Sequence, residues 1–119
     1  MTTETFTPGD LIVGTYPVET RPITIVSGAG VLTRGTVLGK ITASSKYTTA
    51  LAASSDGSED PAAILAVDVD ATSADVATVK YASGEFDGAK LVLGTGITLD
   101  AVKAVFDTAD APIFIKDLA

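Results

Sequence analysis

No continuous apolar run in this 119-residue chain is longer than Ala62 to Val67. A membrane-spanning helix needs about 20 such residues, so the high apolar content of 46% does not predict one. Six apolar residues in a row suit a buried strand. The other strand candidates are Leu11 to Gly14, Ile23 to Val26, Thr36 to Thr42, Val76 to Tyr81, Leu91 to Leu93 and Ile113 to Lys116. Many short strands separated by glycine-rich turns predict a mainly β chain, a barrel-like or sandwich domain.

The turn signals sit between those runs. Ser27-Gly28-Ala29-Gly30 makes one turn, and Ser83-Gly84 predicts another, directing the chain towards Phe86. Gly39, inside the Thr36–Thr42 run, marks a bulge or a close backbone approach. Residues 43–60 are rich in Ala, Ser and Thr, and their end, Asp56-Gly57-Ser58-Glu59-Asp60, predicts a loop. Ala62 to Val67 is apolar on both faces, then gives way to alternation at Val67-Asp68-Val69-Asp70. This predicts a central strand whose far end emerges into water. One helix is expected. Thr98 caps it, Asp100 lies in its first turn, Leu99, Val102, Val105 and Phe106 form a stripe, and it ends near Thr108, before Pro112.

Residues 1–10 read differently from the rest. From Thr2 to Asp10 the only large apolar side chain is Phe6, and Pro8-Gly9 interrupts any regular element. Such a segment has little to bury, which predicts a flexible N-terminal arm followed by a single β-rich domain over residues 11–119. Two readings of the arm stand side by side: a frayed terminus, or a β-forming segment that folds on a partner.

Composition narrows the chemistry. The chain has no Cys and no His, so it has no disulfide, no thiolate ligand and no imidazole proton shuttle. This fits a reducing compartment such as a bacterial cytoplasm. The net charge is −7. Residues 41–75 hold Asp56, Glu59, Asp60, Asp68, Asp70 and Asp75 against Lys46 alone, which disfavours nucleic acid as a partner. No secretory leader is legible at Met1 to Phe6.

Each candidate for chemistry falls short of a motif. Gly28-Ala29-Gly30 and Gly94-Thr95-Gly96 lack the third glycine, or the Lys with Ser or Thr, of a phosphate loop. A calcium loop starting at Asp56 would put Pro61 at its glycine position and Val67 at its glutamate position. Asp68 and Asp70 point the same way if they share a strand, either as a wet face or as paired acid/base or metal-binding carboxylates. Ser44, Ser45, Ser54 and Ser55 have no His partner, and a Ser-Lys pair using Lys46 has no motif behind it. The expectation is a non-enzyme that needs no cofactor or metal.

Taken in order, several segments resemble the head-decoration proteins of tailed bacteriophages, the group that includes the lambda capsid-stabilising protein. They are Met1-Thr2 with Glu4-Thr5-Phe6-Thr7, the stretch Leu32 to Lys40 with its Arg34-Gly35-Thr36-Val37-Leu38-Gly39 core, Ala63 to Val67, Thr72-Ser73, and Ser83-Gly84 with Phe86. The likeness covers most of residues 1–93 loosely. Residues 9–31 depart from it, being strand-like here where the lambda protein is rich in Pro and Ala.

The resemblance implies a compact β-clip or barrel-like domain with one short helix near the C-terminus and an extended N-terminal arm. It implies a homotrimer on the outer surface of the expanded virion head, made in the host cytoplasm. The trimer would sit at three-fold and quasi-three-fold positions and brace the shell against packaged DNA. Thr3, Glu4, Thr5, Phe6, Thr7 and Pro8 would form the capsid-binding arm, adding a strand to a sheet of the major capsid protein, with no membrane or nucleic acid involved. The alternative is a small β-barrel that binds a ligand or hydrolyses a nucleotide, with Asp68 and Asp70 lining its pocket.

Overall fold

Ile23 and Ile25 stand two residues apart, as do Ala63 and Leu65, so each pair presents a single face of an extended chain. In the computed structural model, which describes Ile12, residues 17–108 and residues 112–116, those faces close on one another as a barrel. Its strands are β1 (Glu19–Ile25), β3 (Val37–Lys40), β4 (Tyr47–Thr49), β5 (Pro61–Leu65) and β7 (Val76–Asp87). The short strands β2 (Gly30–Leu32) and β6 (Val69–Ala71) pair separately, α1 spans Leu99–Thr108, and β8 spans Ile113–Lys116. The ring runs β1-β4-β3-β5-β7 and closes where β7 returns to β1, while β8 adds to β7 from outside. The chain is a mainly β, compact single domain with one short helix near its C-terminus.

Two apolar clusters explain the patterning. Ile23, Ile25, Leu38, Tyr47, Ala63 and Leu65 pack together within the ring, joined by Leu32 and Ala71. Val37, Ile64, Ala66, Tyr81, Phe86, Val102, Phe106 and Ile113 form the second cluster, between the outside of the ring and α1. Adjacent residues serve opposite clusters, Val37 and Leu38 on β3 and Ile64 and Leu65 on β5, and all four are fully buried. Hence the run of apolar residues on β5 without alternation: it is walled on both sides. A five-stranded ring leaves little interior room, which suits Ala63.

The helix follows its sequence signals. The Ala101 amide donates to Thr98 Oγ1 at 3.2 Å, and Val102 and Phe106 are buried. Gly39 carries both of its expected features. The β3–β5 register shifts between Leu38 and Gly39, and a Cβ there would overlap the backbone carbonyl of Ser58.

Several expectations need correction. Ser83-Gly84 is not a turn, because β7 runs through it from Val76 to Asp87. Gly84 instead sits at φ 143°, where a Cβ would lie 3.0 Å from Phe86 Cζ. It marks the change of β7's partners, from β1 and β5 before it to β8 from Gly84 onward. The central strand ends at Leu65, and Val67 is 46% exposed. Val69 therefore belongs to a new strand, β6, paired with β2. Strand β1 begins at Glu19, earlier than expected. It tolerates Pro22 because β4 touches it only at Ile25, leaving β7 as its one strand neighbour along most of its length. The Asp56–Asp60 loop is as expected, and earlier in the Ala-, Ser- and Thr-rich stretch, for which no element was expected, Tyr47–Thr49 forms β4. Of Leu11–Gly14 only Ile12 is described, as a single bridge to Phe86, and of Leu91–Leu93 only Val92 bridges, to Thr36.

The Gly39 contact is with backbone, which has no rotamer to move aside. Gly39→Ala is expected to destabilise the fold by about 1–3 kcal/mol, read as a lowered urea midpoint with an unchanged slope.

Candidate functional site

The proposed arm residues Thr3, Glu4, Thr5, Phe6, Thr7 and Pro8 lie outside the described residues, as does the arm boundary at residue 10. What is described is the place where that segment joins the body. Ile12 bridges antiparallel to Phe86, a fully buried residue whose other neighbour in the sheet is Ile115 of β8. The Phe86 ring tilts against Tyr81 with centroids 5.0 Å apart. Further along, Ser83 Oγ donates to the Pro17 carbonyl at 2.8 Å, and Glu19 pairs with Ser83 to begin β1. The chain is thus tied to β7 at Ile12, Pro17 and Glu19.

Tyr81 also organises the turn between β2 and β3. Arg34 Nε donates to the Tyr81 hydroxyl at 2.8 Å, its guanidinium carbon lies 5.9 Å from the centre of the Tyr81 ring, and its backbone amide donates to Asp68 Oδ1 at 2.7 Å. No sequence signal foretold this pairing, because Arg34 and Tyr81 lie 47 residues apart.

The carboxylates considered for chemistry are engaged in local structure. Asp68 and Asp70 are both exposed. Asp68 precedes β6 and holds Arg34, whereas Asp70 accepts from the amide and hydroxyl of Thr72. The Thr72 hydroxyl, then its amide, hold the Asp70 carboxyl below its ordinary range. Asp56 is lowered the same way by the Ser58 hydroxyl and amide, and Glu59 accepts from the Gly57 amide, so the Asp56–Asp60 stretch is a turn that binds itself. Lys46, the base considered for a Ser-Lys pair, is bonded to Asp75 at 2.6 Å. Gly28 occupies positive φ in the β1–β2 turn and Gly30 does so as the first residue of β2, and a Cβ on Gly94 would overlap the Ala50 carbonyl. Among the described residues no group of three or more acidic side chains is placed to hold a metal ion, and no helix is long and apolar enough to cross a membrane.

A family model described as the bacteriophage lambda head decoration protein D matches residues 1–111. The match begins at the first residue, so it includes the arm segment as well as the barrel and α1. No curated protein matches the chain closely enough to count as a relative.

Asp75 ties together segments distant in sequence. It accepts from the Ser27 amide at 2.7 Å and from Lys46, joining the β1–β2 turn, the start of β4 and the entry to β7. The Lys46 hydrogen bond first, then the Ser27 amide, hold its pKa below the ordinary carboxylate value. Its folded value lies below its unfolded value of about 3.9, so the stabilisation is present above that pH and is lost as pH falls through the folded value. Asp75→Asn should lower the thermal midpoint at pH 7, with the gap to the parent protein narrowing below about pH 4. Calorimetry across that range checks both the sign and the window.

Proposed function

Because the chain belongs to the bacteriophage lambda head decoration protein family, a family of structural capsid proteins, we propose a specific form of its capsid-decorating role. The protein binds as a homotrimer to the outer surface of the expanded head at three-fold and quasi-three-fold sites, and it braces the shell against the pressure of packaged DNA. Residues 1–10 form the grip. Thr3, Glu4, Thr5, Phe6, Thr7 and Pro8 add a strand to a sheet of the major capsid protein, with Thr3, Thr5 and Thr7 facing one way and Glu4 and Phe6 the other.

The observation that carries this reading is that the family match starts at residue 1, while the chain just beyond the arm is fixed to the buried Phe86 through Ile12. Force on the arm would pass into β7, which belongs both to the barrel and to the layer packed on α1. Strand addition suits a segment of β-branched threonines, because main-chain hydrogen bonds supply affinity and alternate side chains supply fit. Phe6 is the apolar anchor.

Deleting residues 1–10 is expected to abolish binding to expanded empty capsids while leaving the trimer intact by sedimentation. Phe6→Ala should weaken binding at least tenfold, about 1.4 kcal/mol or more. A truncated trimer with full affinity would refute the arm mechanism, and a monomer with no affinity for any shell would refute the whole reading.

A further inference from the structure

A glycine follows an aspartate at two places in the chain, Asp56-Gly57 and Asp87-Gly88. The sequence has no Asn, so isoaspartate can arise in it only from aspartate. The chemistry is intramolecular. The nitrogen of the following residue attacks the aspartyl carboxyl carbon, its proton leaves with a carboxyl oxygen as water, and a five-membered succinimide closes. Water then adds back at the main-chain carbonyl carbon and breaks its bond to nitrogen. The chain now runs through the side-chain carbon, a free carboxylate stands where the backbone carbonyl was, and the mass is unchanged. Glycine favours the attack because it brings no Cβ to crowd the nitrogen.

The fold treats the two pairs differently. Asp87 is 6% exposed, and its backbone belongs to the β7–β8 ladder opposite Lys116. Its carboxylate accepts from the Ala89 amide at 3.0 Å, capping the 3-10 turn Gly88–Lys90. The extended backbone of Asp87, ψ 113°, turns the buried Gly88 nitrogen away from the side chain. Ring closure there would require β7 to leave its ladder. Asp56 is exposed and lies outside any strand or helix, where both ring closure and the return of water are open. What restrains it is local. The Ser58 hydroxyl and amide both donate to Asp56 Oδ1, which holds the side chain forward over Ser58. The same bonds keep the carboxyl ionised below its usual range, whereas the protonated form is the one that loses water.

We propose that Asp56 is the site at which the folded protein forms isoaspartate, and that Ser58 sets the rate. The product alters the packing around it. The Asp56 carbonyl accepts from the Thr42 amide at 2.9 Å, and the Ser58 carbonyl lies where a Cβ on Gly39 would be. An extra carbon in the main chain between Asp56 and Gly57 displaces that acceptor and loosens the loop over β3. Neither the arm nor a trimer enters this chemistry, so it stands apart from the capsid-binding reading.

The test ages the full-length protein in mildly acidic buffer, folded and in urea, and locates isoaspartate by enzymatic methylation and peptide mapping. In urea the two Asp-Gly pairs are expected to isomerise at similar rates. In the folded protein Asp56 should react at least tenfold faster than Asp87, yet more slowly than in urea, and the aged fraction should melt below fresh protein. Ser58→Ala should raise the folded-state rate at Asp56 at least threefold and leave Asp87 unchanged. Asp56→Glu, which would have to close a six-membered ring, should remove the product from this loop. If Ser58→Ala does not fold, the parent decides, through the order urea, folded Asp56, folded Asp87. Comparable rates at Asp56 and Asp87 in the folded protein, or no product at Asp56, would overturn the proposal. So would an Asp56 rate indifferent to folding or to Ser58→Ala.

Discussion

Phe86 is the point on which the architecture turns. It is fully buried, and its ring rests against Tyr81. Its backbone lies between Ile12 on one side and Ile115 on the other. Two residues earlier, Gly84 leaves room for that ring and marks where β7 passes from the barrel to β8. A bulky residue at position 84 would press on the ring, and a smaller residue at 86 would open the space shared by barrel, helix and N-terminal segment. A buried Phe contributes several kcal/mol by filling such a space. Here it also sits where β8 and the segment at Ile12 attach to β7.

How legible this was depended on the range of the interaction. The α1 stripe and its Thr98 cap were readable because a helix and its cap are local in sequence. Gly39 was readable as a close approach, though its partner Ser58 was not, since nothing local fixes which loop folds over β3. Ser83-Gly84 misled because glycine has one signature for two causes. It permits a turn, and it equally permits a strand to continue past a bulky neighbour. Tyr47–Thr49 was hidden because three residues carry too little periodicity to rise above an Ala, Ser and Thr-rich background. The Arg34–Tyr81 pair was beyond reach, because it needs the placement of segments distant in sequence. At the candidate arm the position is reversed. Its chemistry is all in the sequence, from the β-branched threonines to the lone Phe6, and the described residues contribute only its root.

The carboxylates show the same dependence on context. Six acids between residues 41 and 75 look like a resource for catalysis or metal binding when read as a string. In the fold, Asp56, Asp68, Asp70 and Asp75 each accept at least one backbone amide, from Ser58, Arg34, Thr72 and Ser27 respectively. A small barrel with short strands has many turns, and each turn leaves amides that its ladders cannot satisfy. The acidic character of this stretch therefore follows in part from architecture. Its net negative charge has a second consequence, since like charge opposes non-specific aggregation.

The proposed division of labour between body and arm follows from entropy. Fixing a residue costs roughly 1–2 kcal/mol, so ordering the stretch from Thr3 to Pro8 consumes much of what one added strand gains. A single arm on a monomer would then bind weakly. Three arms on one trimer change the arithmetic without new contacts, because once the first is seated the others search a small volume at high effective concentration. That gain requires a stiff connection between the arms, since a yielding body would let them wander. The attachment of Ile12 to the buried Phe86, on a strand that serves both apolar clusters, is the kind of connection the argument needs. A protein built this way needs no reactive side chain, only a rigid core close to the root of a segment with little to bury by itself.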